Sequence, residues 1–183
     1  YVYARMGNGL WVQTDRLEAG DRMFLDSFGR SLALAGDDTI VVGAPYHNNG
    51  GGPSVGCVYV FTRQQDKEEC YSCWKETHTL KATDGQAKSI FGWNVAASES
   101  NIIVGAWGDP QNGGRSADST YIFSPDVKSE SNGWAQTNKI IAGAGPEEER
   151  FGSSVSVYNN TVVISARDDN QKRGCVYVIN LEG

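Results

Sequence analysis

The sequence predicts an all-β protein made of four-stranded antiparallel sheets, and three observations support this prediction. Short apolar runs rich in β-branched residues occur along the chain, clusters of Gly, Asn, Asp and Ser separate them, and one skeleton recurs three times. In each copy a Trp stands seventeen residues ahead of a Phe-Gly pair, and an aliphatic run and a Tyr-centred run follow. The repeated residues are Trp11, Trp74 and Trp134, with Phe28, Gly29, Phe91, Gly92, Phe151 and Gly152.

The copy that starts at Phe28 shows the order of the strands. Residues 28–36 alternate around two leucines and end in a Gly-Asp-Asp turn. The β-branched run 39–44 is typical of a strand covered on both faces, and the run 57–61 forms an aromatic third strand. Residues 74–82 form a fourth strand that is rich in Lys, Glu and Thr. This gradient, from small residues to a charged outer edge, indicates a blade of a β-propeller. We expect Phe28, Phe91 and Phe151 to be buried between adjacent blades, and the Gly after each of them to allow close approach of the backbones.

The strand count divides the chain, residues 1–183, into parts of blades. Residues 1–19 match the end of a preceding blade, 28–82 and 91–142 are complete blades, and 151–183 is a blade lacking its outer strand. Because propellers typically have four to eight blades, the sequence predicts an incomplete segment of a larger propeller. The alternatives are a solenoid or an unusual sandwich of repeated sheets, or a small ring closed by the first strand.

Composition and charge narrow the classes of partner. The net charge of −6 and a pI of about 4.9 argue against a nucleic-acid backbone as the main partner. No apolar stretch is long enough to predict a transmembrane segment. Since the sequence begins at Tyr1 without a Met, we expect that a targeting segment was removed or that more of the polypeptide precedes it.

The first copy, FGRSLALAGDDTIVVGAP followed by GCVYVF, resembles the FG-GAP repeat, the blade unit of integrin-α-type propellers. In later copies Trp107 replaces the Pro, and Ser165-Ala166-Arg167 replaces Gly-Ala-Pro. The resemblance implies a seven-bladed, extracellular propeller that serves adhesion or protein binding. Many such repeats carry a calcium loop between strands one and two, but the turns here are too short and too poor in acids for it. We therefore expect no calcium and no other cofactor.

The loops between strands two and three and the loops between blades are predicted to lie on one face, which we call the loop face. In the integrin family this face contacts ligands. Aromatic side chains beside polar loop residues on a rigid scaffold favour binding. The alternative is a solvated acidic rim with interspersed arginines. The candidate binding residues are Tyr46, His47, Trp107, Asp109, Asp118, Asp168 and Asp169.

The four cysteines fall into two pairs. Cys57 and Cys175 open the third strand of different blades, so they are too far apart for a bridge and are predicted to remain thiols. Cys70 and Cys73 share one loop and are predicted to form a local disulfide, with a reduced pair or a metal or redox role as alternatives.

Asn159 begins the glycosylation sequon Asn159-Asn160-Thr161 at a predicted hairpin tip. The alternative is that Asn-Asn is simply the composition that a tight hairpin turn prefers. Exposure of this tip is predicted in either case.

No catalytic motif is present. The two histidines, His47 and His78, are interpreted as solvated surface side chains, and neither stands in a nucleophile–base order. We expect a non-enzymatic binding or scaffold module, at the cell surface, outside the cell or in an organelle lumen. Its partner would be a protein or a glycan, together with the rest of its own propeller or a neighbouring subunit. The alternatives are part of a propeller enzyme whose catalytic residues lie outside this sequence, and an accessory subunit of a larger complex.

Overall fold

Two four-stranded antiparallel sheets form the centre of the protein in a computed structural model that describes residues 1–64, 73–108, 110–111, 115–116, 118–126, 133–141 and 150–181. In both sheets the strands pair in chain order. The first blade consists of β3 (Ser31–Ala35), β4 (Thr39–Ala44), β5 (Cys57–Gln64) and β6 (Cys73–Leu80). The second blade consists of β7 (Asn94–Ala97), β8 (Ile102–Ala106), β11 (Ser119–Asp126) and β12 (Gly133–Ile141), with the short hairpin β9 (Pro110–Gln111) and β10 (Arg115–Ser116) between β8 and β11.

Smaller sheets flank the two blades. The leading pair precedes them and consists of β1 (Val2–Arg5) and β2 (Trp11–Asp15). The third sheet follows them and contains β13 (Phe151–Tyr158), β14 (Thr161–Ala166) and β15 (Cys175–Asn180), with the one-turn helix α1 (Asp169–Lys172) before β15. The predicted all-β fold of four-stranded antiparallel sheets is therefore confirmed. In the described part of the chain no helix is long and apolar enough to cross a membrane.

The core lies in the joints between neighbouring sheets. At the first joint, Val58 and Val60 of the first blade pack against Val95 and Val104 of the second. A second cluster at the next joint brings side chains of the second blade against those of the third sheet. The innermost strand β7 contacts both β3 and β13, so the first strands of successive sheets lie side by side. This is the arrangement of propeller blades around an axis.

Two of the repeated Phe-Gly pairs lie just before the inner strands β3 and β7, and the third begins β13. Phe91 and Phe151 are fully buried at the two joints, as the sequence predicts. Full burial is wrong for Phe28, which is half-buried and packs against Tyr59 at 5.5 Å and Phe61 at 6.1 Å between ring centroids. The reason is that only the leading pair faces the first blade on this side, so the same position meets less protein.

The glycines of the motif are required by backbone geometry. Gly92 has a φ of +88°, a left-handed conformation that L side chains rarely adopt, and a Cβ added there would lie 2.7 Å from the carbonyl oxygen of Cys57. A Cβ on Gly43 would overlap the carbonyl oxygen of Gly92. The backbone of the Gly-Ala pair of one blade is thus in direct contact with the backbone of the Phe-Gly pair of the next.

Trp74 and Trp134 lie in the fourth, outer strands β6 and β12, and Trp11 begins β2 of the leading pair. Trp74 and Trp134 are half-buried against the clusters of the joints, while Trp11 in β2 is exposed. At the other end of the protein, β15 is an outer strand of its sheet, and Val176 and Val178 on it are exposed.

Candidate ligand-binding site on the loop face

Equivalent positions of three successive sheets meet at one end of the inner strands. The residue after each Phe-Gly directly precedes the first strand or, in the third sheet, lies among its first residues, and the residue after each Gly-Ala or Ser-Ala follows the second strand. Because these two strands are antiparallel neighbours, both positions lie at the loop face. The positions are occupied by Arg30, Trp93 and Ser153, and by Pro45, Trp107 and Arg167.

Five of these six residues line a cavity of about 430 Å³, which we call the loop-face pocket. Its volume lies within the range of small-ligand sites. Three sheets contribute to it, so its shape depends on the way they pack around the axis. Its lining consists of Arg30, Trp93, Trp107, Ser153, Ser154, Ser165 and Arg167.

Arg30, Trp93 and Trp107 line the pocket, and Arg150 and Tyr46 pack against the two tryptophans from outside it. The guanidinium of Arg30 lies 4.1 Å from the ring centroid of Trp93. The Trp93 and Trp107 rings meet edge to face, with centroids 5.3 Å apart. Arg150 lies 5.5 Å from the centroid of Trp107, and Tyr46 packs edge-on to Trp93 at 6.5 Å. Stacking on a ring fixes the plane of a guanidinium and leaves its N–H edges for a ligand.

A small network of serine hydroxyls also lines the pocket. The hydroxyls of Ser153 and Ser165 are 3.0 Å apart, and the backbone N–H of Ser154 donates to the Ser165 hydroxyl at 2.9 Å. Ser165 replaces the glycine of the first two Gly-Ala motifs, so the third repeat departs from the pattern where it lines the pocket.

The pocket carries positive charge in an acidic chain. Arg30 and Arg167 are exposed, and within the described residues no carboxylate oxygen comes within 4 Å of either guanidinium. Arg150 differs, since its Nε lies 2.9 Å from the Asp168 carboxylate. Two arginines with no carboxylate partner in the described chain thus face the same cavity.

His47 is not the solvated side chain that the sequence suggested. It is only 3% exposed, and its Nδ1 lies 2.9 Å from the Asp26 carboxylate. Its Nε2 lies 3.5 Å from Asp21, and Asp26 also accepts the backbone N–H of Met23 at 2.6 Å. The histidine therefore ties the loop after β4 to the loop before β3. The prediction failed because the partner carboxylates stand 21 and 26 residues earlier, at no recognisable spacing.

A tyrosine and a cysteine lie beside this histidine. The hydroxyl of Tyr59 donates to Asp21 at 2.6 Å, and burial together with this bond raises the pKa of Tyr59 above its usual value. Burial also raises the pKa of the Cys57 thiol to about 12. Since the thiolate is the nucleophilic form, this thiol is not activated despite the nearby His–Asp pair.

The remaining binding candidates do not lie in a single site. Trp107 lines the pocket, Tyr46 packs against the lining residue Trp93, and Asp168 pairs with Arg150. Asp118 does not, because it is buried and accepts the backbone N–H of Phe151 at 3.1 Å, which supports a joint. Asp169 accepts hydrogen bonds from Cys175 at 2.6 Å and Tyr177 at 3.3 Å. Asp109, the last of the candidates, lies outside the described residues.

Sequence reasoning missed Arg30, Trp93 and Arg167 as site residues. The repeat was identified from positions that its copies share, whereas these residues occupy positions where the copies differ. A Trp directly after a repeated Phe-Gly is the signal that could have identified the pocket.

The cysteine and glycosylation predictions remain only partly described. Cys57 and Cys175 have free thiols. Cys70 and the side chain of Cys73 lie outside the described residues, so their disulfide stays a prediction. Asn159 is exposed in the turn between β13 and β14 with a φ of +51°, and its glycosylation also stays a prediction.

His78 is half-buried on β6 rather than solvated. In the described part of the chain its Nδ1 has no hydrogen-bond partner. Groups of three metal-ligating side chains do not occur among the described residues.

Comparison with known proteins agrees with the repeat. No curated protein matched the sequence. The model of the FG-GAP repeat matches three times, over residues 11–61, 74–123 and 134–179. Each match starts at a fourth-strand Trp and ends in the third strand of the next sheet, so each repeat spans a joint. Such repeats form propeller-type modules often used in binding, typically in extracellular domains. Because the matches cover most of its length, the chain belongs to the FG-GAP repeat family.

Proposed function

We propose that this chain is a non-enzymatic binding module that contacts a partner molecule through the loop-face pocket. The observation that carries the proposal is the convergence of Arg30, Trp93, Trp107 and Arg167, from three sheets, on one open cavity. Tryptophan and arginine are the side chains most enriched among residues that dominate binding energy. Their positions are set by inner strands rather than by long loops, which favours a site that is formed before the partner arrives.

The buried His47 cluster supports a structural role instead of catalysis. A general base has to reach a substrate, and His47 is nearly inaccessible to solvent. The Cys57 thiol beside it has a raised pKa, the reverse of what a nucleophile needs. The cluster holds the loops that surround the pocket, and so we assign it to the scaffold.

The rest of a propeller, or a neighbouring subunit, is the second partner that we propose. A cavity of about 800 Å³ lies between the leading pair and the first blade, and its walls are mostly apolar. Tyr3, Leu32 and Leu34 on these walls are exposed. Apolar patches of this kind mark contacts with other protein surfaces. An extracellular or lumenal location fits the family and the exposed sequon at Asn159.

Filling the pocket tests the first proposal. Ser154 lines the pocket with an exposed side chain, and Ser156 is exposed two residues further along β13 but does not line it. Arrays of peptides and glycans would be probed with the wild type, Ser154→Trp and Ser156→Trp. We expect bound ligands to be lost with Ser154→Trp and kept with Ser156→Trp, at equal thermal stability. Ligands that bind Ser154→Trp as well as the wild type would contradict the proposal.

A further inference from the structure

We propose that the loop-face pocket binds an acidic peptide segment of a protein partner, whose carboxylate is held by Arg30 and Arg167. The proposal rests on the binding function assigned above and adds the chemistry of the ligand. Neither the family nor the fold specifies this chemistry, because the charged residues occupy positions where the three repeats differ.

The geometry of Arg30 suits a carboxylate. Its guanidinium lies 4.1 Å from the centroid of the Trp93 ring, a cation–π contact that restrains the side chain and leaves in-plane N–H groups for a ligand. A carboxylate binds such an edge with two parallel hydrogen bonds. Because the side chain is already ordered by the ring, less conformational entropy is lost when the ligand binds.

The second arginine and the serines complete the site. Arg167 follows β14 and lines the same cavity, as do Ser153 and Ser165, whose hydroxyls are 3.0 Å apart. These hydroxyls can donate to a ligand oxygen or accept from a peptide N–H. A peptide offers both kinds of group next to an acidic side chain.

The aromatic rings favour a peptide over a sugar. A sugar ring stacks on an uncovered aromatic face, but Arg30 lies over the face of Trp93 and Arg150 lies over Trp107. Trp107 also meets Trp93 edge to face. The rings therefore position guanidinium groups and wall the cavity, and the exposed polar groups are N–H and O–H donors.

The described carboxylates near the pocket leave its arginines available to an acidic ligand. Of the described carboxylates near the pocket, Asp168 is paired with Arg150, and Asp26 is buried against His47. Asp109, Glu147, Glu148 and Glu149, which the sequence predicts to be in loops of the loop face, lie outside the described residues. An acidic ligand bound in spite of a net charge of −6 would show that the local arginines dominate the field at this cavity.

Fluorescence anisotropy with two matched peptides tests the proposal. The probes are fluorescein-labelled Gly-Glu-Gly-Glu-Gly and its counterpart with Gln in place of Glu, titrated with the full 183-residue chain. We expect the Glu peptide to bind at least about tenfold more tightly, and more weakly as salt is added. The double variant Arg30→Gln/Arg167→Gln is expected to lose this preference.

A matched control carries the same charge change elsewhere. Arg5 and Arg63 are exposed near the carboxyl ends of β1 and β5, the end of the third strands opposite to the loop face. Arg5→Gln/Arg63→Gln is expected to keep the affinity within about twofold, since charges beyond a Debye length are screened. Thermal unfolding of each variant shows that it is folded.

Three results would overturn the proposal. They are equal binding of the Glu and Gln peptides, an equal loss in both double variants, and tighter binding of a uronic-acid oligosaccharide than of the Glu peptide. A non-acidic array ligand that is lost with Ser154→Trp but kept with Arg30→Gln/Arg167→Gln would leave the binding function standing and refute the acidic-peptide assignment alone.

Discussion

Leu32 and Val95 occupy the same position of successive repeats, four residues after the Phe of Phe-Gly, yet their surroundings differ completely. Leu32 is 65% exposed, whereas Val95 is 6% exposed. Val95 faces the four strands of the first blade, while Leu32 faces only the leading pair. The same strand pattern therefore produces a core residue or a surface residue according to the neighbouring sheet. In this fold stability comes from the joints. A position at the joint between the two blades can be compared with the same repeat position beside the leading pair, where less protein covers it.

The largest expected difference concerns the phenylalanine of the motif. Phe91→Ala removes a fully buried ring from a complete joint and should lower the free energy of unfolding by about 3–5 kcal/mol. Phe28→Ala removes a half-buried ring and should cost roughly half as much. Urea unfolding followed by fluorescence measures both. Equal losses would mean that the two phenylalanines have the same surroundings, and this would contradict the difference in their burial.

The next difference concerns the glycine of the motif. Gly29 and Gly92 have nearly equal φ values of +87° and +88°, but an added Cβ meets nothing within 4 Å at Gly29. Gly29→Ala should therefore cost about 1 kcal/mol of backbone strain alone. Gly92→Ala adds the contact with the Cys57 carbonyl and should cost about 3 kcal/mol or more. If the two substitutions cost the same in thermal unfolding, the backbones are not in contact at the joint.

A smaller effect is expected from a carboxylate in the loop between the two blades, which bonds to the third and fourth strands of the second blade. Asp84, ten residues after Trp74, accepts hydrogen bonds from Tyr121 at 2.9 Å and from Lys139 at 2.5 Å. Burial alone would raise the pKa of Asp84, but these bonds outweigh it and lower the pKa. Asp84→Asn should cost about 1 kcal/mol at neutral pH, since the side chain is half-exposed.

The sign of the pH dependence follows from the lowered pKa. A carboxyl group with a depressed pKa in the folded state stabilises the protein above its unfolded pKa of about 3.9, and the contribution is lost as the pH falls through the folded value. The wild type should therefore be more stable than Asp84→Asn at pH 6, and the two should converge as the pH falls below the lowered pKa of Asp84. A constant difference at all pH values would show that ionisation of Asp84 has no part in the link.

The third repeat offers a natural variant of this link. Ten residues after Trp134 the sequence has Ala144, and Tyr177 donates instead to Asp169 at 3.3 Å. A hydrogen bond to the Cys175 thiol, with burial and the nearby charge, raises the pKa of Tyr177 to about 12. Tyr177→Phe should change stability by less than about 0.5 kcal/mol, because this exposed hydroxyl closes no joint.

Local chemistry in the sequence predicted the sheets and the conformation of the motif. Alternating apolar residues, turn composition and the Phe-Gly repeat indicate strands and close backbone contacts, because these depend on neighbouring residues in the chain. The burial of His47 and Asp118 depends on partners brought together by folding, 21 and 33 residues away, so no spacing revealed it. The pocket escaped notice for another reason. It is built where the repeats differ, and a search for shared positions passes over Arg30 and Trp93.

The most direct test of the account distinguishes the two sets of tryptophans. The chain has five, and each indole N–H gives one signal in a ¹H–¹⁵N spectrum of the labelled protein, assigned by single Trp→Phe variants. Titration with Gly-Glu-Gly-Glu-Gly should shift the signals of Trp93 and Trp107, which line the loop-face pocket. The signals of the repeated Trp11, Trp74 and Trp134 on the outer strands should stay in place. Shifts confined to those three, or a uniform shift of all five, would contradict a binding site at the meeting point of the blades.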